Sequence, residues 1–260
     1  MMPTNALPQT PRTAWTAACL GLLLLFAAAP LAAAERTVSE TYELTPNGRI
    51  SLQNLNGNVS IEGWDRDEVS LEAQIEASSR DSVDALKIEV DADPDRLRIE
   101  TDSPNRRGGW GRDWARVNFT LKVPRGAELS EISLVNGSLD LRELSGDIEA
   151  SLVNGNLDAR ELSGSLELSS VNGSIDLELE RLGSGQRLDV ESVNGSIDLI
   201  LPGDADAEIE ASTVHGRISN DFGLRVDKGE YVGSDLSGRL GNGSARVSLE
   251  NVNGSIDIKR

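Results

Sequence analysis

The sequence predicts an all-β protein built as a parallel β-solenoid, that is, a single-stranded β-helix or β-roll with coils of about 18–22 residues and an N-terminal β cap. Three observations predict it: Asn-Gly pairs recur at regular intervals, apolar and polar residues alternate after each pair, and aromatic residues make up only 3% of the 260-residue chain. With so few aromatic side chains, the core must be filled by Leu, Ile, Val and Ala, which suit narrow layers.

The Asn-Gly pairs supply the turns of the predicted coils. The first three pairs of the main series are 18 residues apart, the next follows after 22, and the motif returns near the C-terminus. Glycine adopts the positive φ of a tight turn without steric cost, and asparagine tolerates turn conformations. The turn residues are Asn136, Gly137, Asn154, Gly155, Asn172, Gly173, Asn194, Gly195, Asn253 and Gly254.

The residues after each turn alternate as expected for a half-buried strand. In Ser138-Leu139-Asp140-Leu141 the leucines point to one face and the aspartate to the other. A coil would stack Leu139 over Leu157, then over Ile175 and Ile197. It would also place four turn asparagines in one hydrogen-bonded file: Asn136, Asn154, Asn172 and Asn194. Because Asn-Gly is also a strong hairpin signal, an antiparallel meander is the alternative.

The N-terminus has the features of a secretory signal peptide. Arg12 precedes an apolar run over residues 17–29, and the small residues 32–34 suggest cleavage before Glu35. We therefore predict residues 1–34 as signal peptide and 35–260 as one β-strand-repeat domain, with N-terminal strands and cap over 35–130 and Asn-Gly coils over 131–260. The mature chain would contain no cysteine and no transmembrane segment, and it would be exported to the periplasm or cell surface of a bacterium.

Charge excludes some classes of partner. Without Arg12, 24 basic residues face 43 acidic ones, a net charge of −19, which disfavours nucleic acid and anionic membranes. The sequence indicates no cofactor and no catalytic residue. The single histidine, His215, stands where neighbouring repeats have asparagine, which predicts a turn variant rather than a general base.

One strand face carries a row of carboxylates: Asp140, Asp158, Asp176 and Asp198. Their spacing of about 5 Å suggests two alternatives to a non-enzymatic role, a weak polysaccharide-acting enzyme or a calcium-binding β-roll. The row lacks aromatic neighbours that would separate the carboxyl pKa values, and Arg142 and Arg160 lie close in sequence. A solvated, non-catalytic face is therefore favoured.

A basic, aromatic segment interrupts this acidic chain and is the predicted binding surface. Exposed tryptophan and arginine are favoured in recognition, and the expected partner is an envelope protein or glycan. The alternative is a hairpin loop whose tryptophans cover the core. The candidate binding residues are Arg106, Arg107, Trp110, Arg112, Trp114 and Arg116.

The order of several short motifs resembles a known family. These motifs are Gly57-Asn58-Val59-Ser60-Ile61-Glu62-Gly63-Trp64, the pair Val123-Pro124, and serial units that end in Asn253-Gly254-Ser255-Ile256-Asp257-Ile258. In this order they resemble the bacterial putative-adhesin family of β-strand-repeat proteins, a domain of unknown function. The resemblance implies an envelope-associated β-solenoid that acts as an adhesin, scaffold or interaction module, and it implies no catalytic residues.

Overall fold

The computed structural model describes residues 34–102, 114–229 and 232–260. These residues form 21 strands and one short helix, α1 (Arg80–Ala85). In chain order the strands are β1 (Ala34–Glu43), β2 (Arg49–Asn56), β3 (Val59–Trp64), β4 (Glu68–Ala77), β5 (Lys87–Asp93), β6 (Arg96–Asp102), β7 (Ala115–Pro124), β8 (Glu128–Asn136), β9 (Leu139–Arg142), β10 (Ile148–Asn154), β11 (Leu157–Leu162), β12 (Leu166–Asn172), β13 (Ile175–Leu179), β14 (Arg187–Asn194), β15 (Ile197–Ile200), β16 (Ala207–His215), β17 (Ile218–Asn220), β18 (Val226–Lys228), β19 (Ser234–Arg239), β20 (Ala245–Asn253) and β21 (Ile256–Lys259).

The strands form two large sheets. The first has ten strands in the order β1-β4-β7-β3-β9-β11-β13-β15-β21-β17. The second has eleven, in the order β18-β19-β16-β20-β14-β12-β10-β8-β2-β6-β5. In each repeat, one strand belongs to the second sheet, a turn follows at a glycine, and the next strand belongs to the first sheet. Each repeat therefore contributes one strand to each sheet.

Strands of successive repeats pair in parallel and in register. Leu157 pairs with Leu139 on one side and with Ile175 on the other, and Ile175 pairs with Ile197. All four side chains are buried in one continuous aliphatic core. Because like residues stack on like, each strand position forms a file that runs across the sheet.

The fold class predicted from the sequence is nevertheless wrong, because both sheets are mixed rather than parallel. In the first sheet β4 pairs antiparallel with β1 and with β7. In the second sheet β5 pairs antiparallel with β6 at one end, and β19 pairs antiparallel with β16 and β18 at the other. The antiparallel meander is not found among the repeats either, since those strands pair in parallel.

The stacking order also departs from a simple coil. The last repeat, β20 and β21, inserts between the repeat β14–β15 and the repeat β16–β17. Its Val247 pairs with Leu188 on one side and Ile209 on the other. The prediction assumed that repeats stack in chain order. Instead, β18 and β19 extend the sheet in antiparallel pairing beyond β16, and β20 lies between β14 and β16.

The N-terminal end combines a repeat with antiparallel strands. Strands β2 and β3, which fall within the predicted cap region, pair with β8 and β9 as a further repeat. The antiparallel strands β1, β4 and β7 extend the first sheet beyond β3. The helix α1 begins at the cap residue Ser79, whose Oγ accepts a hydrogen bond from the Ser82 backbone nitrogen, and it buries Val83.

Candidate functional site

An uninterrupted file of asparagine side chains follows the turn edge of the second sheet. Five side-chain hydrogen bonds of 2.9–3.1 Å, each from Nδ2 to the neighbouring Oδ1, connect it. The sequence placed four asparagines in this file, and Asn56 and Asn253 extend it. In stack order its members are Asn56, Asn136, Asn154, Asn172, Asn194 and Asn253. These hydrogen bonds connect the side-chain amides of neighbouring turns, so the file stabilises the turns.

The glycines of these turns stack in direct backbone contact. The backbone nitrogen of Gly155 donates to the Asn172 carbonyl at 2.9 Å. A Cβ on Gly155 would lie 2.0 Å from the Gly137 carbonyl oxygen, and a Cβ on Gly173 would lie 1.9 Å from that of Gly155. With a φ of 151° at Gly155, only glycine fits this turn.

A row of aspartates crosses the outer face of the first sheet, as the alternation predicts. Asp158 pairs in register with Asp140 and with Asp176. Arg142 donates to both carboxylate oxygens of Asp140 at 2.7 and 2.9 Å, and Arg160 holds Asp158 in the same way at 2.8 and 2.9 Å. The Arg142 hydrogen bonds keep the pKa of Asp140 below its usual range.

Asp176 differs from its neighbours because its repeat has Glu178 where the two preceding repeats have arginine. Partial burial raises the pKa of Asp176, and the neighbouring carboxylates of Asp198 and Asp158 raise it further. Asp198 pairs with the Lys259 ammonium group. The row is thus neutralised unevenly by basic side chains of the same sheet.

These contacts bear on the two alternatives for the aspartate row. Within residues 34–102, 114–229 and 232–260, no three His, Cys, Asp or Glu side chains are grouped so that they could hold a metal ion. The guanidinium groups of Arg142 and Arg160 occupy the oxygens of Asp140 and Asp158.

Two substitutions in the row should change stability in opposite directions. Asp140→Asn should destabilise the protein at pH 7 by up to about 1 kcal/mol, because a carboxylate with a lowered pKa stabilises the fold above its unfolded pKa. Asp176→Asn should stabilise it at pH 7, because folding raises the Asp176 pKa and ionisation then opposes folding. As the pH falls from about 7 to about 3, the Asp176 difference should fade first, because that carboxyl is protonated through its raised pKa. The Asp140 difference should persist to about pH 4 and fade only below it, through the lowered pKa. Urea unfolding across this range measures both, and equal effects of one sign would contradict the assignment.

The predicted binding segment lies mostly outside the described residues. Arg106, Arg107, Trp110 and Arg112 belong to that part, whereas Trp114 and Arg116 are described at the start of β7. The Trp114 side chain is 41% exposed, and the Arg116 guanidinium lies 5.5 Å from its ring centroid. Arg116 Nη2 also lies 2.6 Å from Glu76 Oε2. Trp114 and Arg116 therefore present an aromatic ring beside a guanidinium group that is paired with the Glu76 carboxylate.

An exposed aliphatic stripe beside the asparagine file was missed by the sequence analysis. It consists of the residue that precedes each turn asparagine or His215, and each member is 37–46% exposed. The signal was present in the repeated Val-Asn-Gly triplets, but an exposed valine in a strand is ordinary when considered singly. In stack order the aliphatic stripe comprises Leu55, Val135, Val153, Val171, Val193, Val252 and Val214.

Together these features define a class of protein: an all-β repeat protein whose two sheets display files of identical side chains. The profile of the Toastrack DUF4097 family matches residues 49–259, so the chain belongs to this family. This confirms the resemblance noted from the sequence motifs. In the described residues, no helix has the length and apolar character needed to cross a membrane.

Several solved structures are similar to this chain, and the first named here supports the fold. A putative cell adhesion protein from Clostridium sporogenes is 16% identical with a TM-score of 0.51, and the match covers 86% of this chain and 99% of that one. A putative adhesin from Bacteroides fragilis is 16% identical over 86% and 97% of the two chains, with a TM-score of 0.38. A putative lipid binding protein from Parabacteroides distasonis is 14% identical over 85% and 96%, with a TM-score of 0.34. No protein of curated function shows significant sequence similarity to this chain.

Proposed function

We propose that this protein is a non-enzymatic interaction module, an adhesin or scaffold, that residues 1–34 direct out of the bacterial cytoplasm to the cell envelope. The observation that carries the proposal is the repetition of the surface. Asparagines, aspartates and aliphatic residues recur in register across parallel strands. Such faces suit extended contact with a partner, because every repeat offers the same groups.

The electrostatics of the carboxylates support a binding role over catalysis. A glycosidase needs one carboxyl held protonated and one ionised in a shielded site. Here Asp140 and Asp158 are fixed by arginines on an open sheet face, where solvent screens them. The names of the Clostridium sporogenes and Bacteroides fragilis proteins also favour adhesion.

The contact surface of this module is the basic, aromatic segment Arg106, Arg107, Trp110, Arg112, Trp114 and Arg116. Trp114 with Arg116 supplies the described part of it, an exposed ring beside a guanidinium group. A tryptophan face binds sugar rings or aliphatic surface, and arginine pairs with carboxylates or phosphates. In a chain of net charge −18, this positive segment would contact an acidic envelope glycan or an acidic envelope protein.

Binding to isolated bacterial envelopes tests this proposal. We expect Trp114→Ala to reduce co-sedimentation of the full chain about tenfold or more, since buried tryptophans dominate interface energies. The matched control is Trp64→Ala, because Trp64 also lies against an arginine, Arg66, at 4.8 Å. Equal loss in both variants, or no binding by the unmodified chain, would contradict the proposed contact.

An assay of envelope polysaccharide turnover distinguishes a binding module from an enzyme. We expect no release of reducing ends, and no difference between the unmodified chain and Asp158→Asn or Asp176→Asn. Turnover that both substitutions abolish would overturn the non-enzymatic assignment while leaving the binding experiment interpretable on its own.

A further inference from the structure

The aliphatic stripe is a continuous apolar feature on the outer face of the second sheet, at its turn edge. Its seven members come from seven hydrogen-bonded neighbouring strands, β2, β8, β10, β12, β14, β20 and β16. At about 4.8 Å between strands, the stripe is roughly 29 Å long. A hollow of about 300 Å³ includes Val171, Val193, Val214 and Val252 in its lining. Aligned apolar side chains of this extent mark an interaction surface.

Two acidic rows run parallel to the stripe on the same face. They consist of the residues two and four positions before each stripe member, and neither row contains a basic residue. The nearer row comprises Gln53, Ser133, Ser151, Ser169, Glu191, Glu250 and Ser212. The farther row comprises Ser51, Glu131, Glu149, Glu167, Asp189, Ser248 and Glu210. The two acidic rows therefore hold seven carboxylates beside the stripe.

Most of these carboxylates lack the arginine partners that hold the aspartate row of the first sheet. Arg187 lies 3.9 Å from Asp189, and the Gln53 side chain donates a hydrogen bond of 2.9 Å to Glu131. In the part of the chain that the structure describes, the other five are exposed and form no ion pair: Glu149, Glu167, Glu191, Glu210 and Glu250. The surface beside the stripe therefore carries negative charge that the sheet itself does not compensate.

The groups on this face restrict the form of a partner. A strand lying along the stripe would press its backbone N–H and C=O groups against aliphatic side chains, which offer them no hydrogen-bond partner. An α-helix satisfies its backbone internally, and an amphipathic helix presents an apolar face beside a charged one. At about 1.5 Å per residue, a helix as long as the stripe has about 19 residues.

We propose that the aliphatic stripe docks a basic amphipathic helix of another envelope protein, whose apolar face lies on the stripe and whose Lys or Arg side chains lie over the acidic rows. The body of a helix is about 10–12 Å across, so it covers the stripe and the nearer row. Long basic side chains pack their stems on apolar surface and extend their charged ends. They can therefore reach the farther row, about 13 Å from the stripe.

Size and charge both favour this occupant. Each outward residue of a parallel sheet occupies roughly 4.8 by 6.6 Å, so the stripe and the acidic rows together cover about 670 Å². Each partner in a specific interface buries about 600–1,000 Å², so this area fits a transient complex at the lower end of that range. A second copy of this chain would bring further carboxylates to the acidic rows, and a neutral glycan would leave them unpaired.

The inference rests on the proposed interaction function but uses a separate surface of opposite charge. Trp114 and Arg116 lie at the start of β7 in the first sheet, whereas the stripe lies on the second sheet. The positive segment would hold an acidic partner, and the acidic rows would hold a basic one. The two contacts can therefore be tested separately.

Titration of the full chain into a labelled peptide of leucine and lysine, about 19 residues long and patterned as an amphipathic helix, tests the proposal. We expect binding with a rise in the helical circular dichroism of the peptide, because isolated helices of this length are marginal in water. Raising the salt from about 0.05 M to about 0.5 M should weaken binding at least about tenfold. Equal binding of a scrambled peptide without an apolar face would indicate unspecific attraction to an acidic chain and would overturn the proposal.

Substitutions in the stripe test its part in the contact. Val171→Lys should raise the dissociation constant of the peptide at least about tenfold, because it places a positive charge in the apolar contact. The matched control is Val232→Lys, at a valine 62% exposed outside the stripe, and it should raise the constant less than about twofold. Equal effects of the two substitutions would show that the stripe is not the docking surface.

Substitutions in the acidic rows test the charge pairing. The double variant Glu149→Gln and Glu167→Gln should weaken peptide binding about fivefold or more and reduce its salt dependence. The double variant Glu72→Gln and Glu178→Gln makes the same change of charge on the first sheet and should have little effect. Equal weakening by both double variants would assign the attraction to net charge alone, against the proposal.

Sedimentation distinguishes this proposal from its alternatives and from the proposed function. If the unmodified chain alone forms a dimer that Val171→Lys dissociates, the stripe belongs to a second copy and the helix proposal is wrong. A chain that co-sediments with envelopes through Trp114 but does not bind the leucine–lysine peptide would overturn the helix proposal and leave the proposed function intact. Peptide binding that depends on Val171, without Trp114-dependent co-sedimentation, would support the helix proposal and count against the contact at Trp114.

Discussion

Gly155→Ala should abolish stable folding or lower the free energy of unfolding by more than about 4 kcal/mol, the range reserved for severe steric or packing defects. The new Cβ would lie 2.0 Å from the carbonyl oxygen of Gly137 and 2.6 Å from its carbonyl carbon. Both atoms belong to the neighbouring turn, so relief requires that turn to separate from its hydrogen-bonded neighbour. Strand pairing on both sides of the turn would be weakened.

The matched control for this substitution is Gly203→Ala. A Cβ at Gly203 would approach only the Arg260 side chain, at 3.9 Å. We expect its free energy of unfolding to stay within about 0.5 kcal/mol of the unmodified protein. Thermal and urea unfolding of both variants measure the difference, and a Gly155→Ala protein as stable as Gly203→Ala would show that the turns do not stack in contact.

Leu157→Ala should lower the free energy of unfolding by about 2–5 kcal/mol, the usual cost of truncating a buried leucine. Leu157 is fully buried on β11 and lies between Leu139 and Ile175 in the stacked file. Neighbours fixed on both sides by the register cannot collapse into the cavity without moving their strands, so we expect a loss in the upper part of this range.

Amide hydrogen exchange identifies the strands that are destabilised by Leu157→Ala. Protection should fall most in β9, β11 and β13, the strands that adjoin the cavity, since repeat proteins couple mainly to nearest neighbours. Glu167→Ala, on the outer face of β12, is the control and should change stability by less than about 0.5 kcal/mol. A uniform decrease across all strands would contradict the nearest-neighbour description.

The sequence was sufficient to predict the repeats and their register. Leu139, Leu157, Ile175 and Ile197 follow equivalent Asn-Gly turns, and the structure pairs them in the order that the repeat implies. The asparagine file followed from the same reasoning, because identical amides one strand apart can bond to one another. The spacing of the Asn-Gly pairs is therefore enough to predict which side chains line up on the faces of the repeats.

The strand order of the whole fold could not be read from local spacing. The alternation in Lys87–Asp93 and Arg96–Asp102 indicates strands, but it does not say that they join the second sheet beside β2. The insertion of β20 between β14 and β16 depends on the long return of the chain through β18 and β19, which has no repeat signature. Non-local pairing of this kind is decided by packing.

The aliphatic stripe was missed for a different reason. A single Val153 on a strand surface is unremarkable, and only the registration of neighbouring strands places it in line with Val135 and Val171. A file of exposed side chains is a property of the stack rather than of any one repeat. Tabulating the residue before each Asn-Gly pair would have revealed the candidates, but not their alignment.

Photo-cross-linking from Trp114 in the native bacterial envelope tests the proposed interaction function most directly. The full chain would carry the photoreactive residue at position 114, with the same residue at Asp158 on the aspartate row as control. We expect capture of an acidic glycan or envelope protein from position 114, with capture lost when Arg116 is changed to Ala. Capture no greater than from position 158 would contradict a binding role for this segment.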